Sequence, residues 1–242
     1  AGMFLLKVND NQLFQTLGYT TEGVGANLYR YDAASTATID GVFTFPGIGG
    51  TLSFNAANVF NGTAGTGRLI AVDQSVVDVT KAGATIAGDA GPAIQRAINA
   101  AHAGTTKVVF VPAGTYLVNS HLFIPGAVCL AGTGDSSTLS LNGDISSPVD
   151  GYWINCGISG IGTSARWTGE ITKLRLTATA SAAGMRCMIL VHSGDGFKIN
   201  HNFLDMISAP EAVQLYLRHG IEGINNGAWS SGDIYRANGE IN

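Results

Sequence analysis

The sequence has little charge and no long apolar run. Only 12% of its 242 residues are Asp, Glu, Lys or Arg, about half of the roughly 25% that is usual in globular proteins. The net charge of −4 argues against a nucleic-acid partner, because phosphate binding needs clustered cations. No stretch approaches the roughly 20 apolar residues of a membrane span, and residues 3–6 are too few for the apolar core of a signal peptide. We therefore expect no nucleic-acid binding and no membrane insertion.

The three cysteines, Cys129, Cys156 and Cys187, are too few and too far apart to suggest a disulfide framework. No CxxC motif and no Cys/His pair at metal-ligand spacing occurs. The histidines show no ligand spacing either. We expect buried thiols, no metal site and no cofactor.

Glycine and short apolar stretches dominate what is present. Gly accounts for 33 residues and hydrophobic residues for 45%, so the chain has enough apolar material for a core. Residues 1–70 show little helical periodicity and alternate apolar stretches with Gly, Asn, Asp and Pro. This pattern predicts small β elements joined by turns, one of them over residues 46–50.

One helix is predicted over residues 92–103. Apolar residues recur there at i, i+3, i+4 and i+7, namely Ile94, Ala97, Ile98 and Ala101. Pro92 suits the first turn and Gly104 the end. Four short strands are predicted to follow without an intervening helix, over residues 107–111, 115–118, 122–124 and 128–130.

The rest of the chain repeats with a coarse period. Arg175, Lys198 and Glu222 follow one another at nearly equal spacing, each beside apolar residues. Repeats of roughly 20 to 50 residues are typical of solenoids, and a coil of three short strands and three turns matches one rung of a right-handed parallel β-helix. Residues 107–242 would then form about five to six rungs.

A continuous motif extends this interpretation. Residues 88–101 (GDAGPAIQRAINAA), 108–118 (VVFVPAGTYLV) and 122–134 (LFIPGAVCLAGTG) together resemble the start of the pectate-lyase-like right-handed β-helix superfamily. That resemblance implies a mostly β protein in which the short amphipathic helix caps the end of the coil. Of the acidic residues that often precede this helix in the family, only Asp89 is present.

The N-terminal part resembles the segment that precedes the β-helix in bacteriophage tailspikes, through residues 17–23, 26–33, 40–41 and 65–69. The resemblance implies a homotrimer in the virion, assembled in the host cytoplasm. Its N-terminal part would attach to tail, baseplate or adaptor proteins. The resemblance further implies that the whole protein recognises a host-surface polysaccharide, and proteins of this kind often have depolymerase activity.

Together these observations predict three regions. Residues 1–70 form a small β-rich attachment region, residues 71–106 a linker with the capping helix, and residues 107–242 the first rungs of the coil. Because residues 239–242 show no recognisable cap, and an open rung would expose an unpaired edge, we expect the coil to continue beyond Asn242 or to be covered by trimer partners.

The candidate catalytic groups are outward carboxylates. Glycoside hydrolysis uses two carboxyl groups about 5–9.5 Å apart, a separation that strands one or two rungs apart could provide. The candidates are Glu170, Asp195, Asp205, Glu211, Glu222 and Asp233. None of their spacings gives a clean register, so no catalytic residue is assigned, and solvated surface carboxylates remain the alternative.

For a charged column and for the tryptophans, the sequence leaves both a binding role and a structural role open. Arg175, Lys198 and Glu222 are predicted to form one outer column, either a saccharide-binding patch or a surface charge ladder worth under about 1 kcal/mol per pair. The tryptophans Trp153, Trp167 and Trp229 would fill the core or an interface, or stack on sugar rings. Asn200 and Asn202 are predicted to stack into a hydrogen-bonded ladder at rung corners.

Three functions remain open at this point. The first is the N-terminal part of a tailspike that binds, and in some part of the protein cleaves, a host polysaccharide. The second is an autonomous polysaccharide lyase or glycoside hydrolase. The third is a virion protein with a purely structural role.

Overall fold

The computed structural model of the chain describes residues 9–19, 22, 24–56, 58–141, 152–157, 167–178, 187–191, 195–206, 211–215 and 238–241. The chain divides into two compact units. The first consists of Ala1–Thr85 with Pro92–Phe110, and the second of Ile86–Gly91 with Val111–Asn242.

The first unit contains a four-stranded antiparallel sheet in the order β1-β2-β4-β3. Its strands are β1 (Leu13–Gln15), β2 (Leu28–Asp32), β3 (Thr44–Ile48) and β4 (Thr66–Ala71). Side chains of β2 alternate as expected for a sheet with one covered face, with Tyr29 and Tyr31 buried and Arg30 exposed. The predicted small β-rich N-terminal region is therefore confirmed.

The turn predicted over residues 46–50 is largely wrong, because Pro46, Gly47 and Ile48 belong to β3. Proline is tolerated here since β3 is an edge strand, where one side needs no hydrogen-bond donor. Glycine is required at Gly47, where a Cβ atom would lie 1.9 Å from the carbonyl oxygen of Thr66.

The remainder of the first unit contains two short strands and the helix. Strand β5 (Val77–Asp78) pairs in parallel with β6 (Val108–Phe110), and α1 spans Gly91–Ala103. The apolar face predicted for α1 is fully buried, and the helix ends before Gly104 as expected. The Lys107 ammonium donates to the carbonyls of His102 and Gly104, both at 2.6 Å, which stabilises the negative end of the helix dipole. The role of α1 as a cap of the coil stays a prediction.

The second unit is a coil of three parallel sheets, each with four coil strands in the described residues. The first coil sheet contains β7 (Gly114–Leu117), β10 (Ser137–Leu141), β13 (Arg175–Ala178) and β16 (Phe203–Met206). The second contains β8 (Leu122–Ile124), β11 (Tyr152–Cys156), β14 (Cys187–Val191) and β17 (Glu211–Leu215). The third contains β9 (Cys129–Ala131), β12 (Glu170–Thr172), β15 (Asp195–Asn200) and β18 (Asn238–Ile241).

The chain passes through the first, second and third coil sheets in turn, four times over, and each strand pairs in parallel with its counterpart in the next rung. This is the predicted parallel β-helix. Its inward positions stack as apolar columns, for example Leu130, Ile171 and Ile199, which are all buried. The rungs therefore share one continuous core, although none could bury its apolar face alone.

Rung length varies far more than the predicted period. In the first coil sheet, Thr115 pairs with Thr138, Thr138 with Arg175, and Arg175 with Phe203. The sequence separation between these register partners is shortest in the first step, longest in the second and intermediate in the third. The described residues contain four rungs of three strands, and the estimate of five to six rungs over residues 107–242 stays a prediction.

Polar side chains stabilise the backbone between strands. The Asn202 amide donates to the carbonyl of Ile171 at 2.8 Å, and its oxygen accepts from the Leu174 N–H at 3.1 Å. Asn202 therefore supports the backbone at a rung corner, whereas Oδ1 of Asn200 is buried without a hydrogen-bond partner, and a ladder of the two residues stays a prediction. Asp89 accepts from the N–H groups of Gly91 at 3.0 Å and Asn119 at 3.1 Å, so the one acidic residue present in the motif fixes the start of α1.

Candidate functional site

Arg175 and Lys198, which were predicted to share a column with Glu222, lie in different coil sheets. Arg175 lies half-buried in β13 of the first coil sheet, between Thr138 and Phe203. Lys198 is exposed in β15 of the third coil sheet, and Glu222 lies outside the described residues. The two cations therefore occupy different sheets, because the uniform period expected from the sequence does not hold here.

A different column contains Lys198. Its register partners are Glu170 in the preceding rung and Glu240 in the following one. Neighbouring strands of a sheet are about 4.8 Å apart, so the backbones at Glu170 and Glu240 are separated by about 9.6 Å with Lys198 between them. The residue types acid, base and acid thus alternate along one register column of the third coil sheet.

Cys129 adjoins this column, one position before the Leu130–Ile171 pair. Burial raises the pKa of its thiol, the backbone of Glu170 lowers it through a hydrogen bond, and the charge of Glu170 raises it. The Cys156 thiol is fully buried, which raises its pKa well above the ordinary value. Both thiols should therefore react slowly, since the thiolate is the nucleophile.

A first prediction follows for thiol reactivity. In a Cys187→Ser background at pH 8, Cys129 should be alkylated by iodoacetamide more slowly than free cysteine. Glu170→Gln should increase that rate, because it removes the negative charge while keeping the backbone hydrogen bond. Peptide mass mapping over time measures the rates, with Glu22→Gln as the control for loss of an exposed carboxylate. Equal rates in wild type and Glu170→Gln would place Glu170 away from Cys129.

The outer face of the first coil sheet is rich in hydroxyl groups. Thr115, Thr138 and Arg175 form one outer column, while Ser140 and Thr177 belong to the next. All five side chains are at least partly solvent-accessible. This face offers hydroxyl groups beside one guanidinium, which suits hydrogen bonding to a saccharide.

The six candidate carboxylates are not brought together. Asp195 pairs with Asn238, Asp205 with Thr177, and Glu211 with Cys187. Glu222 and Asp233 lie outside the described residues. The described registers place no two of the six on directly neighbouring positions.

Sequence reasoning missed Glu240 as a register partner of Lys198. Glu240 is much further from Lys198 along the chain than the predicted period. A search at that period therefore does not pair the two residues. The available signal was local, since Glu170, Lys198 and Glu240 each directly precede an isoleucine.

Two of the tryptophans are core residues. Trp167 is fully buried, stacks on Phe197 with ring centroids 5.5 Å apart, and donates from Nε1 to the carbonyl of Val128 at 3.1 Å. Trp153 is also fully buried, whereas Trp229 lies outside the described residues. In the described rungs, neither Trp153 nor Trp167 exposes a ring for stacking on a sugar.

Neither a metal cluster nor a membrane-spanning helix is found in the described part of the chain. Its His, Cys, Asp and Glu residues form no group of three or more that could hold a metal ion. No helix in the same ranges has the length and apolar content that a membrane span requires.

Several solved structures share this fold at low sequence identity. The tailspike protein gp49 of Acinetobacter baumannii bacteriophage Fri1, a capsular polysaccharide depolymerase, is 18% identical with a TM-score of 0.58, covering 86% of this chain and 37% of its own. The gp42 tailspike of Acinetobacter phage vb_AbaP_AS12 is 15% identical with a TM-score of 0.57, covering 87% and 35%. Pantoea stewartii WceF, a glycan biofilm modifying enzyme with a tailspike-like parallel β-helix fold, is 15% identical with a TM-score of 0.51, covering 84% and 32%.

This chain therefore spans about a third of the length of each of these structures, and at such identities the likeness shows the fold. No curated protein matches the sequence significantly. The family model for rhamnogalacturonase A/epimerase, pectate-lyase-like, matches residues 76–242. Since that match covers more than half of the chain and includes every rung of the coil, the chain belongs to the rhamnogalacturonase A/epimerase family of pectate-lyase-like proteins.

Proposed function

We propose that this chain is the N-terminal part of a phage tailspike. Its first unit attaches the spike to tail, baseplate or adaptor proteins, and its coil presents a surface for a host polysaccharide. The functional protein is a homotrimer within the virion.

One observation carries this proposal. The family model begins only at residue 76, whereas the Fri1 tailspike aligns with 86% of the chain. An alignment of that extent is longer than residues 76–242 and must therefore reach into the antiparallel sheet of the first unit. The AS12 tailspike and WceF, which has a tailspike-like fold, align with similar shares of the chain, so the likeness to tailspike-type folds extends beyond the coil and supports a tailspike.

The outer surface of the coil supports polysaccharide recognition. Hydroxyl groups of the first coil sheet and charged groups of the third provide hydrogen-bond donors and acceptors on rigid strands. Side chains on rigid elements lose little conformational freedom on binding, which favours recognition of a flexible polymer.

Binding and cleavage are tested with cells and surface polysaccharides of candidate hosts. We expect the purified chain to be retained on cells of its host, and to lose that retention when the surface polysaccharide is stripped. New reducing ends in the isolated polysaccharide would show that the chain also cleaves it. Retention that is independent of the polysaccharide would contradict the proposed recognition and favour a structural virion protein.

Cleavage within this chain is a second candidate function, supported by the third coil sheet. Glu170 and Glu240 occupy one register column two rungs apart, about 9.6 Å at the backbone, and inverting glycosidases use two carboxylic residues as acid and base. One would protonate the leaving oxygen while the other activates water.

Substituting these residues tests that candidate. Glu170→Gln and Glu240→Gln should each lower the rate of reducing-end formation by about 100-fold or more, because each removes a proton-transfer group. The exposed Glu22→Gln in the first unit is the matched control and should leave the rate unchanged. Cleavage that survives both substitutions would assign catalysis to other residues.

A further inference from the structure

Residues 51–63 of the first unit form a β-hairpin between β3 and β4, which we call the arm. Antiparallel bridges join Thr51 to Thr63 and Phe54 to Phe60. Among the described residues, the backbone hydrogen bonds of the arm join its own residues to each other, and most of the arm is exposed. An isolated two-stranded hairpin is only marginally stable in water, so the arm needs contacts with the rest of the first unit to keep its place.

Glycines in the left-handed conformation flank the arm on both sides. Gly49 directly follows β3 and has φ 75°, and Gly65 directly precedes β4 and has φ 67°. A Cβ atom added at Gly49 would meet no other group within 4 Å, so the chain has free space there. Glycine reaches many backbone conformations at little steric cost, and hinges are a few residues that absorb changes in φ and ψ. Gly49 and Gly65 can therefore serve as a hinge at the base of the arm.

Arg96 of α1 contacts the arm at two of its residues. Its Nη1 donates to Oδ1 of Asn58 at 3.3 Å, and its guanidinium carbon lies 5.1 Å from the centroid of the Phe54 ring. A charge-assisted hydrogen bond and a cation over an aromatic ring are both attractive. The Phe54 ring also packs on the backbone of Gly41, where an added Cβ atom would lie 2.5 Å from Cζ of that ring. The tip of the arm is thus fixed through Phe54 and Asn58.

Residues outside the arm hold Arg96 in turn. Its Nη2 donates to the carbonyl of Ala82 at 2.8 Å. Burial raises the pKa of the Tyr19 hydroxyl, while the positive charge of Arg96 and a hydrogen bond with its side chain lower it, so these two side chains are neighbours. Arg96 lies within the family match, whereas Tyr19 and the arm precede it. One guanidinium therefore joins the part of the chain before the family match to α1.

The closed position of the arm also has an energetic cost. Nε of Arg96 is buried and has no hydrogen-bond partner among the described residues. A buried, unpaired donor costs free energy that contact with water recovers. Because this cost opposes the contacts with Phe54 and Asn58, the balance favours an equilibrium between a closed arm and a locally open one.

We propose that the arm is hinged at Gly49 and Gly65 and is latched onto α1 by Arg96. In the closed state Phe54 and Asn58 contact Arg96. In the open state the arm separates from α1, while β2, β4 and α1 keep their structure, and the Phe54 ring and the guanidinium become accessible to water. This latch lies in the first unit alone, so its test is independent of polysaccharide recognition.

Amide hydrogen exchange of the whole chain, followed by peptide mass spectrometry, tests the latch. In wild type, the arm should exchange faster than β2 and α1 but more slowly than an unprotected peptide, because it opens locally. Arg96→Met keeps a long side chain and removes its charge and its donors. Exchange in the arm should then become faster by about ten-fold or more, while exchange in β2 and α1 changes by a smaller factor.

Two further variants serve as controls. Arg96→Lys keeps a cation near Phe54 but loses the planar fork of donors, so exchange in the arm should become faster by only about two- to five-fold. Asn99 is exposed on α1 and accepts from Nε2 of Gln95 at 3.0 Å. Asn99→Ala therefore changes the helix surface away from the arm and should leave exchange in the arm unchanged.

Four results would overturn the inference. Equal exchange of the arm and β2 in wild type would show that the arm opens only with the whole unit, and a fully unprotected arm would show that it is not latched. If Arg96→Met accelerates exchange in the arm, β2 and α1 by the same factor, Arg96 stabilises the unit as a whole. If this variant leaves exchange in the arm unchanged, other contacts hold the arm.

Discussion

Replacing Trp167 with alanine is expected to lower the free energy of unfolding by about 3–5 kcal/mol. The side chain is fully buried, stacks on Phe197 and donates a hydrogen bond to the carbonyl of Val128. Its removal leaves a cavity and an unpaired buried carbonyl in the coil. Urea unfolding followed by far-ultraviolet circular dichroism measures the change.

Trp167→Phe is the matched control for shape. It keeps an aromatic ring against Phe197 and loses the hydrogen bond to Val128, so the loss should be smaller, about 1–3 kcal/mol. Neither variant should change the secondary structure at low urea. A loss below about 1 kcal/mol for the alanine variant would show that Trp167 lies at an accessible surface.

Asp40→Ala should destabilise the first unit by about 2–3 kcal/mol. One carboxylate oxygen of Asp40 accepts from the N–H groups of Val42 and Phe43 at 2.8 Å and of Thr44 at 2.9 Å. Burial raises the pKa of this carboxyl, while the three N–H groups oppose that rise. Alanine leaves all three donors without this acceptor at the start of β3.

Asp40→Asn separates the acceptor from the charge. Its side-chain oxygen can still accept from the same N–H groups, so the loss should be about 1 kcal/mol or less. Thermal unfolding of the two variants beside wild type gives the comparison. If asparagine and alanine destabilise equally, the acceptor is not what stabilises this turn.

The fold class was predictable because local signals agree. The i, i+3, i+4, i+7 pattern of α1 and the β-branched run into β6 specify elements from neighbouring residues alone. Strand β8 (Leu122–Ile124) has the predicted bounds, since Pro125 and Gly126 end it. In such stretches propensity, turn chemistry and burial all favour the same structure.

The site was much less predictable, because register depends on connection length. In the third coil sheet, Leu130 pairs with Ile171 and Ile171 with Ile199, yet the first pair is much further apart along the chain than the second. Loops between strands tolerate insertions at small energetic cost, so spacing carries little information on which outer residues meet. For this reason the predicted column placed Arg175 beside Lys198, although the two residues lie in different coil sheets.

Inward residues give a better guide to register than spacing does. Ile171, Ile199 and Ile241 share one column, and the residue before each lies in the adjacent column. Aligning short apolar strand cores, with free loop lengths between them, would have found the Glu170–Lys198–Glu240 column. Positive φ at Lys173 and His201 has no such sequence signal, since most left-handed positions in the described residues are glycine.

Engineered disulfides test the stacking of the coil most directly. Thr138 and Arg175 are register partners on neighbouring rungs, and a separation near 4.8 Å lies within the Cα range of about 4.4–6.8 Å for disulfides. We expect T138C/R175C to form a disulfide under mild oxidation, identified by peptide mass mapping, and R175C/K198C to form none. A disulfide in R175C/K198C without one in T138C/R175C would contradict the register and with it the four-rung coil.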